Sequence, residues 1–498
     1  MELSGKENLR YHLVGLPDAV IQGAAETAEG KGLDGKWAFT LQRSSWTPFV
    51  QYSPKRELRE KLFKAYISRG NNNDSLDTKN LLTRIAKLRV EKANLLGYKT
   101  YADFKLERNM AKTSAKVLDF LNLLWQPSVN RAKMETADMQ KILDKEGGKF
   151  KLQPWDWWYY AEKVKKDKYD LNEEMLRPYF KLENVIDGVH MVANKLYGLQ
   201  FVERNDIPVY HPDVKVFEVK EANGNHLGIL YTDYFPRDTK ESGAWCGGFR
   251  DQSSIDDKFI TPLVTNCGNF SKPTSDKPAL LSIDEVNTLF HEFGHALHAL
   301  IGKSVYPGGK RVPVDFVELP SQVMENWAMD PDVLKLYAKH YQTGETIPQE
   351  LIDKIVNAKL FNQGFETVEY LAASFLDMYW HVIADTNERE PIGFEKKSLT
   401  ELGLIPEIES RYQSENFLHI FSGDGYAAGY YGYIWAAVLD ADAFEAFKET
   451  GSVFDKNTAE KFHTLLQTAG SDDPMEIYKK FRGREPKVDA LLKRRGLN

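Results

Sequence analysis

SIDEVNTLFHEFGHALHALIG, residues Ser282 to Gly302, carries the pattern of one well-specified helix. Ser282 and Glu285 have capping-box spacing, so each side chain can satisfy a backbone N–H left unpaired at the first turn, and Gly302 supplies the stop. Ile283, Val286, Leu289, Phe290, Phe293, Leu297 and Leu300 make one apolar side, while Asp284, Thr288, His291, His295 and His298 form a polar stripe. Inside the helix lies His291-Glu292-Phe293-Gly294-His295. Imidazoles four residues apart project the same way, one turn apart, and can hold one zinc ion together. Glu292 sits beside them, within reach of a proton on an attacking water without being a ligand itself. His298 shares the face but lies a further turn along, too far to join His291 on one ion, and is expected to support the site or fill the core.

A catalytic ion of this kind needs a third protein ligand and an open position. Downstream, VDFVELPSQ (Val314 to Gln322) and MENW (Met324 to Trp327) supply Glu318 and Glu325. Both are suitable by chemistry, and periodicity does not choose between them.

On either side of this helix the texture of the chain changes. Residues 1–200 read as mostly helical, with apolar positions at three- and four-residue spacing such as Leu81, Leu82, Ile85, Leu88 and Val90, then Val117, Leu118, Phe120, Leu121 and Leu124. The rings from Trp155 to Tyr160 are expected to pack between helices rather than to form a ligand platform, and Lys163 to Lys168 to be a solvated helix face. Between residues 201 and 270, Val214, Val216 and Val219 lead through Ala222-Asn223-Gly224-Asn225 to Leu227, Ile229, Leu230 and Tyr231, which reads as a hairpin. Ile260 to Thr265 reads as a further strand. Helix returns from about 281 to 498. The expected architecture is mainly α, with a small sheet just ahead of the metal-site helix. No Pro/Gly/Ser linker divides it, so one closely packed unit is expected.

Composition closes off several function classes. The chain has 498 residues, 42% hydrophobic, and a mean hydropathy of -0.48. No apolar run approaches the roughly 20 residues of a membrane span, so no membrane partner is expected. The opening MELSGKENLR is polar and mixed in charge, unlike a signal peptide. A net charge of -7 gives no basic field to attract nucleic acid. Two cysteines, Cys246 and Cys267, without a CxxC pair suit a reducing compartment, so a cytoplasmic location is expected, with the periplasm as the alternative.

TLFHEFGHALH, DFVELPSQVMENW, GYAAGYYGY and FRGREP…LLKRRGLN resemble the thimet oligopeptidase family of zinc metallopeptidases, and within it the bacterial peptidyl-dipeptidase (dipeptidyl carboxypeptidase) branch. The likeness covers essentially the whole chain, including GLPDAV, ADFKLERNMAKT, YHPDVKVFEV and ESGAWC. It implies a zincin-type fold with a deep substrate channel, one wall of which residues 1–200 would help to form. It also implies one zinc ion per chain, short peptides as substrates, and a monomer. The third ligand would then be Glu318, with Glu325 orienting a ligand. Family members carry a further N-terminal part, and by this resemblance the chain is expected to lack it.

The segment Phe417 to Leu439 holds His419, Gly423, Gly425, Tyr426, Tyr430, Tyr431 and Tyr433. If it is helical, Tyr426, Tyr430 and Tyr433 at i, i+4 and i+7 face one cleft. Spacing alone fits an aromatic core stripe equally well. The resemblance assigns the tyrosines to the negative charge that builds on the scissile carbonyl oxygen, Tyr433 and Tyr426 ahead of Tyr430, which is expected on the substrate side. Phenolic donors fixed there favour the transition state over the substrate. The resemblance gives His419 an assisting role, although the spacing from His419 to Tyr426 varies between branches.

Two questions of activity stay open. A peptidyl-dipeptidase must capture the substrate's terminal carboxylate, for which the planar fork of an arginine is suited. Arg482 and Arg484 are candidates, and pairing with surface acids is their other reading. An oligopeptidase cutting internally is the alternative activity, and an inactive peptide-binding homologue a further one, against which the intact Glu292 argues. A zinc aminopeptidase would need acidic side chains for a free α-amine, and no such cluster is present.

Overall fold

Helical periodicity between residues 79 and 145 is realised in two long helices, Lys79–Leu95 and Ser114–Lys145, with the short helix Tyr101–Leu106 between them. The first turns Leu82, Ala86 and Val90 inward, while Leu81 and Leu88 of the same apolar run face solvent. The second starts at Thr113, whose hydroxyl accepts the Lys116 N–H, and buries Val117, Leu121 and Leu124. The computed structural model describes residues 2–3, 12–237, 239–241, 243–255, 258–270, 272–273, 277–306, 308 and 311–497. Most of MELSGKENLR and Ser242 of ESGAWC lie outside the described residues.

The chain falls into two units. The first comprises Met1–Asp170, Leu360–Tyr431 and Arg495–Asn498, and the second Leu171–Lys359 and Gly432–Arg494. The change of texture read at residue 200 falls inside the second unit, where Gly198 in the left-handed conformation ends the helix Leu182–Tyr197 and a strand begins. Five helices recur below: α1 (Ser114–Lys145), α2 (Ile283–Ile301), α3 (Leu319–Ala328), α4 (Gln363–His381) and α5 (Gly432–Lys448).

In the first unit α4 lies against α1 so closely that a Cβ on Gly364 would stand 2.4 Å from the Ala132 nitrogen. The approach lets half-buried Glu135 of α1 accept the N–H groups of Gly364 and Phe365 at 2.9 Å each, satisfying donors that the start of α4 leaves open. The rings of the 155–160 cluster pack as expected. Trp157 stacks on Phe365 at 4.7 Å, and Trp158 meets Trp46 at 5.3 Å.

In the second unit a five-stranded sheet is built from β1 (Gln200–Glu203), β2 (Lys215–Lys220), β3 (His226–Asp233), β4 (Trp245–Arg250) and β5 (Leu263–Cys267), in the order β1-β2-β3-β5-β4. The expected hairpin is β2–β3, turning at Gly224 with φ +87°. β3 and β5 are parallel, and the other pairs antiparallel. The run read as one strand from Ile260 to Thr265 breaks at Pro262, which has no N–H to give a ladder. Lys258–Ile260 pairs with Ser253–Ile255, while β5 joins the main sheet. The sheet packs on α2, where Gly228 of β3 comes so near that a Cβ there would sit 2.9 Å from Leu300. His190 stacks flat on Phe201 at 4.0 Å and faces Phe293 at 5.6 Å, steadying the opposite side of α2. Beyond the sheet the chain is helical. Among the described residues no helix is long and apolar enough to cross a membrane.

Candidate metal centre and active site

The capping box is formed: Ser282 Oγ accepts from the Glu285 N–H at 3.1 Å, and Glu285 returns a carboxylate oxygen to the Ser282 N–H at 2.8 Å. At the far end Gly302 caps α2 with φ -57°, so the helix stops by passing into extended chain and not by a left-handed glycine turn. The helix thus holds His291 and His295 on one face, their ring centroids 5.1 Å apart.

Glu318 comes to them from the residue immediately ahead of α3. Its Oε2 lies 3.3 Å from His291 Nε2 and 3.2 Å from His295 Nε2. Among the described residues these three form the one group of ligand-type side chains whose donor atoms all fall within 4.8 Å of one another. Glu325, about two turns further along α3, takes the other ring nitrogen of His291, with Nδ1 and Oε1 2.6 Å apart. The two carboxylates left open by chemistry are therefore separated by position. Glu318 faces both imidazoles, and Glu325 stands behind one.

Gly294 makes the approach of α3 possible. A Cβ at this position would stand 2.3 Å from the Pro320 carbonyl oxygen and 2.6 Å from the Ser321 Cα. Ser321 adds an Oγ hydrogen bond to Glu318 Oε2 at 3.0 Å, fixing the carboxylate. The sequence reading passed over both residues. A glycine inside an otherwise strong helix was the visible signal of close packing.

Electrostatics agree with a cation site. Burial works against the charge on Glu318, but hydrogen bonding to His291 and His295 outweighs it and holds the carboxyl well below its usual range. His291 is likewise opposed by burial and raised well above its usual value by Glu318 and Glu325. Glu292 is driven the other way, its carboxyl lifted by burial against the pull of the two histidines. Its Oε2 is buried and has no hydrogen-bond partner among the described residues. Two nitrogens and one carboxylate oxygen with an unpartnered carboxylate beside them fit a divalent metal that keeps a position open for solvent. His298 is buried and outside this group, as expected.

Tyr433 belongs to the same unit. It is the second residue of α5, and Gln322 Nε2 of α3 donates to its carbonyl oxygen at 3.0 Å. Gly432 admits the start of α5 beside the loop ahead of α3, since a Cβ there would meet the Val314 carbonyl at 2.6 Å. Asn326 of α3 donates to Asp440 of α5 at 2.9 Å, and Arg494 holds the same aspartate.

His419, Tyr426 and Tyr430 lie in the first unit. The helix that would align the tyrosines begins only at Gly432, so the i, i+4, i+7 register does not hold across residues 426–431. The cause is buried Asp377 of α4, whose carboxylate accepts the N–H groups of Ala428 and Tyr430 at 2.9 Å each and fixes a turn with Ala428 at φ +54°. Tyr426 and His419 are half-buried with rings 5.8 Å apart. Tyr430 is 2% exposed, stacked on Tyr370 and meeting Phe417 and His419 edge-on.

The two arginines proposed as carboxylate anchors are committed elsewhere. Arg484 places both terminal nitrogens on Asp442, at 3.0 and 2.6 Å. Arg482 grips Glu449 with both of its own and lies 3.4 Å from Asp442. Pairing with acids, the second of their two readings, is what the structure contains.

A family model described as peptidase family M3 matches residues 49–497. The chain belongs to peptidase family M3. This M3 peptidase is 43% identical over 491 residues to the dipeptidyl carboxypeptidase of Escherichia coli strain K12, covering 98% of the chain and 72% of that relative. It is 38% identical over 497 residues to oligopeptidase A of the same strain, covering 97% and 72%. A solved structure described as PZ peptidase A with inhibitor 2 superposes with a TM-score of 0.56 at 14% identity, over 91% of this chain and 70% of that one, and so shares the fold. The M3 peptidase is accordingly a metallopeptidase that hydrolyses peptide bonds, built on a mainly helical fold with a small sheet.

Proposed function

We propose that the chain is a zinc peptidyl-dipeptidase that releases dipeptides from the free C termini of short peptides. The buried, unpartnered Glu292 oxygen beside the His291, His295 and Glu318 donors is the observation that carries the catalytic reading. These three residues would hold zinc, one ion per chain, which when bound supplies a Lewis acid for the scissile carbonyl and for water. Glu292 accepts the proton of the attacking water and returns it to the leaving amine. Its raised carboxyl suits both directions of transfer. Glu325 holds the His291 ring so that Nε2 points at the other donors. Tyr433 and Tyr426 donate to the developing negative charge of the carbonyl oxygen, with His419 assisting.

The likeness to a dipeptidyl carboxypeptidase at 43% identity supports exopeptidase action. The 38% likeness to an oligopeptidase favours internal cleavage as the second reading. An N-blocked pentapeptide, free or amidated at its C terminus, separates them when products are weighed by mass spectrometry. Peptidyl-dipeptidase action gives a C-terminal dipeptide first and slows strongly on amidation. Equal cleavage of both forms, or another first product, establishes the oligopeptidase reading. The enzyme works as a cytoplasmic monomer in this reading, and its two free cysteines support the compartment. Size-exclusion chromatography with light scattering, and fractionation of expressing cells, test those two points.

A further inference from the structure

Glu318, Gln322 and Glu325 stand at i, i+4 and i+7 along α3, so they fall on one side of it. The two carboxylates serve the metal centre, Glu318 by facing both imidazoles and Glu325 by holding His291 Nδ1. Gln322, between them, turns to a different partner. Its Nε2 donates to the Tyr433 carbonyl oxygen at 3.0 Å. A backbone carbonyl only accepts, so the amide nitrogen has to be the atom that faces it. The other end of the amide, Oε1, is buried and has no hydrogen-bond partner among the described residues. An acceptor buried in that way costs stability, and a methionine of similar volume would fill the space without one. Packing alone does not call for glutamine at 322; the contact with Tyr433 does.

The contact lands where α5 begins. Gly432, the residue before Tyr433, lies so near the loop ahead of α3 that a Cβ there would stand 2.6 Å from the Val314 carbonyl. The first turn of α5 is therefore held at consecutive residues, Gly432 by that loop and Tyr433 by α3 itself. The direction in which the Tyr433 side chain leaves the helix follows the rotation of this turn about the helix axis. One turn of α3 separates the Gln322 amide from Glu318, so a metal ligand and Tyr433 take their positions from the same rigid element. One turn further on, Asn326 donates to Asp440 of α5 at 2.9 Å and joins the two helices independently of Gln322. All of these residues belong to the second unit, as does the metal centre.

We propose that Gln322 is a positioning residue for peptide hydrolysis, fixing the first turn of α5 so that the Tyr433 hydroxyl meets the negative charge on the scissile carbonyl oxygen. The assignment rests on the reading of Tyr433 as a donor to that oxygen. Gln322 itself touches neither metal nor substrate in it and acts through the Tyr433 backbone alone.

Gln322→Met keeps the side-chain volume and the Asn326–Asp440 contact but removes the donor. Zinc content, melting temperature, and kcat and KM on an N-blocked pentapeptide are measured for the wild type, Gln322→Met, Tyr433→Phe and the double variant. Gln322→Met is expected to hold zinc and to melt like the wild type. Its kcat falls roughly 10- to 100-fold, as a small misplacement of a catalytic group causes, with KM changed far less. In the Tyr433→Phe background the same substitution lowers kcat by less than about threefold, because the hydroxyl it positions is already gone. Wild-type kcat in Gln322→Met overturns the assignment. So does an equal fold loss in both backgrounds, or a loss of zinc or of melting temperature in step with kcat, each of which marks a structural role. Tyr433→Phe with unchanged kcat overturns the reading of Tyr433, and the assignment with it. If Gln322→Met does not fold, Gln322→Ala decides by the same comparison of the two backgrounds.

Discussion

Glu325 Oε1 lies 2.6 Å from His291 Nδ1, on the side of the ring away from Glu318. The contact fixes which ring nitrogen is left for a metal. Glu325→Gln weakens zinc binding by roughly 10- to 100-fold without abolishing it, as loss of an orienting partner does. His291→Ala, His295→Ala and Glu318→Ala empty the site. Metal content after dialysis against graded chelator ranks the four variants, and a Glu325 variant as empty as the Glu318 variant reverses the ligand assignment.

Glu292 contributes no ligand atom to the group of three donors. Glu292→Gln therefore keeps a full complement of zinc and loses nearly all turnover. Zinc content and peptide hydrolysis are read on the same sample. Wild-type turnover in this variant rules out Glu292 as the base.

Gly294→Ala leaves every polar group of the site in place and adds one methyl group where 2.3 Å separates it from the Pro320 carbonyl. Backbone cannot yield as a flexible side chain would, so α3 must move away from α2. The expected cost is about 1–3 kcal/mol in stability, together with weaker zinc binding because Glu318 and Glu325 move with α3. Thermal melting with and without chelator measures both effects. A variant that melts and binds zinc like the wild type shows that the helices do not need this contact.

Tyr433→Phe removes a hydroxyl and almost no volume. If the hydroxyl serves the developing oxyanion, kcat falls roughly 10²- to 10³-fold with a smaller change in KM. Steady-state kinetics on a short peptide make the distinction, and a rise in KM alone assigns Tyr433 to substrate binding.

Glu395 gives the first unit a pH-dependent stability. It is buried and accepts both the N–H and the hydroxyl of Ser414 at 2.7 Å, and burial pushes its carboxyl up to about 8. The folded protein therefore holds a proton that the unfolded chain releases near the ordinary carboxylate value. Stability from this group is full below that ordinary value and declines as pH rises toward about 8, by a few kcal/mol. Melting temperatures between those limits fall in the wild type and fall less in Glu395→Gln, which is neutral throughout. Parallel curves for the two proteins dismiss Glu395 as the source.

The metal-site helix was legible in the sequence because its cap, its apolar face and its histidine spacing all agree on one conformation. The β2–β3 hairpin was legible for the same reason, with alternating apolar residues meeting at an Asn-Gly turn. β4 was not, since Gly247 and Gly248 give it little strand propensity and only its neighbour β5 and the adjacent α2 place it. The tyrosines show the limit of periodicity. Their spacing is helical, but the N–H groups of Ala428 and Tyr430 are taken by Asp377, about fifty residues earlier in the chain. A long-range carboxylate leaves no local trace. The arginines failed likewise, because Asp442 and Glu449 cannot be matched to them before α5 and the helix Pro474–Arg482 are docked.

The route of the chain at Gly432 bears on how such an enzyme can be recombined. The second unit is entered at Leu171, left at Lys359 and entered again at Gly432, so the histidines and Tyr433 are encoded in separate gene segments with part of the first unit between them. A hybrid of two relatives joined at a single crossover within residues 360–431 would combine Val314 from one parent with Gly432 from the other. Those two residues sit so close that any side chain at 432 would collide with the Val314 carbonyl. Inheritance of the second unit intact requires paired exchanges on both sides of the intervening segment.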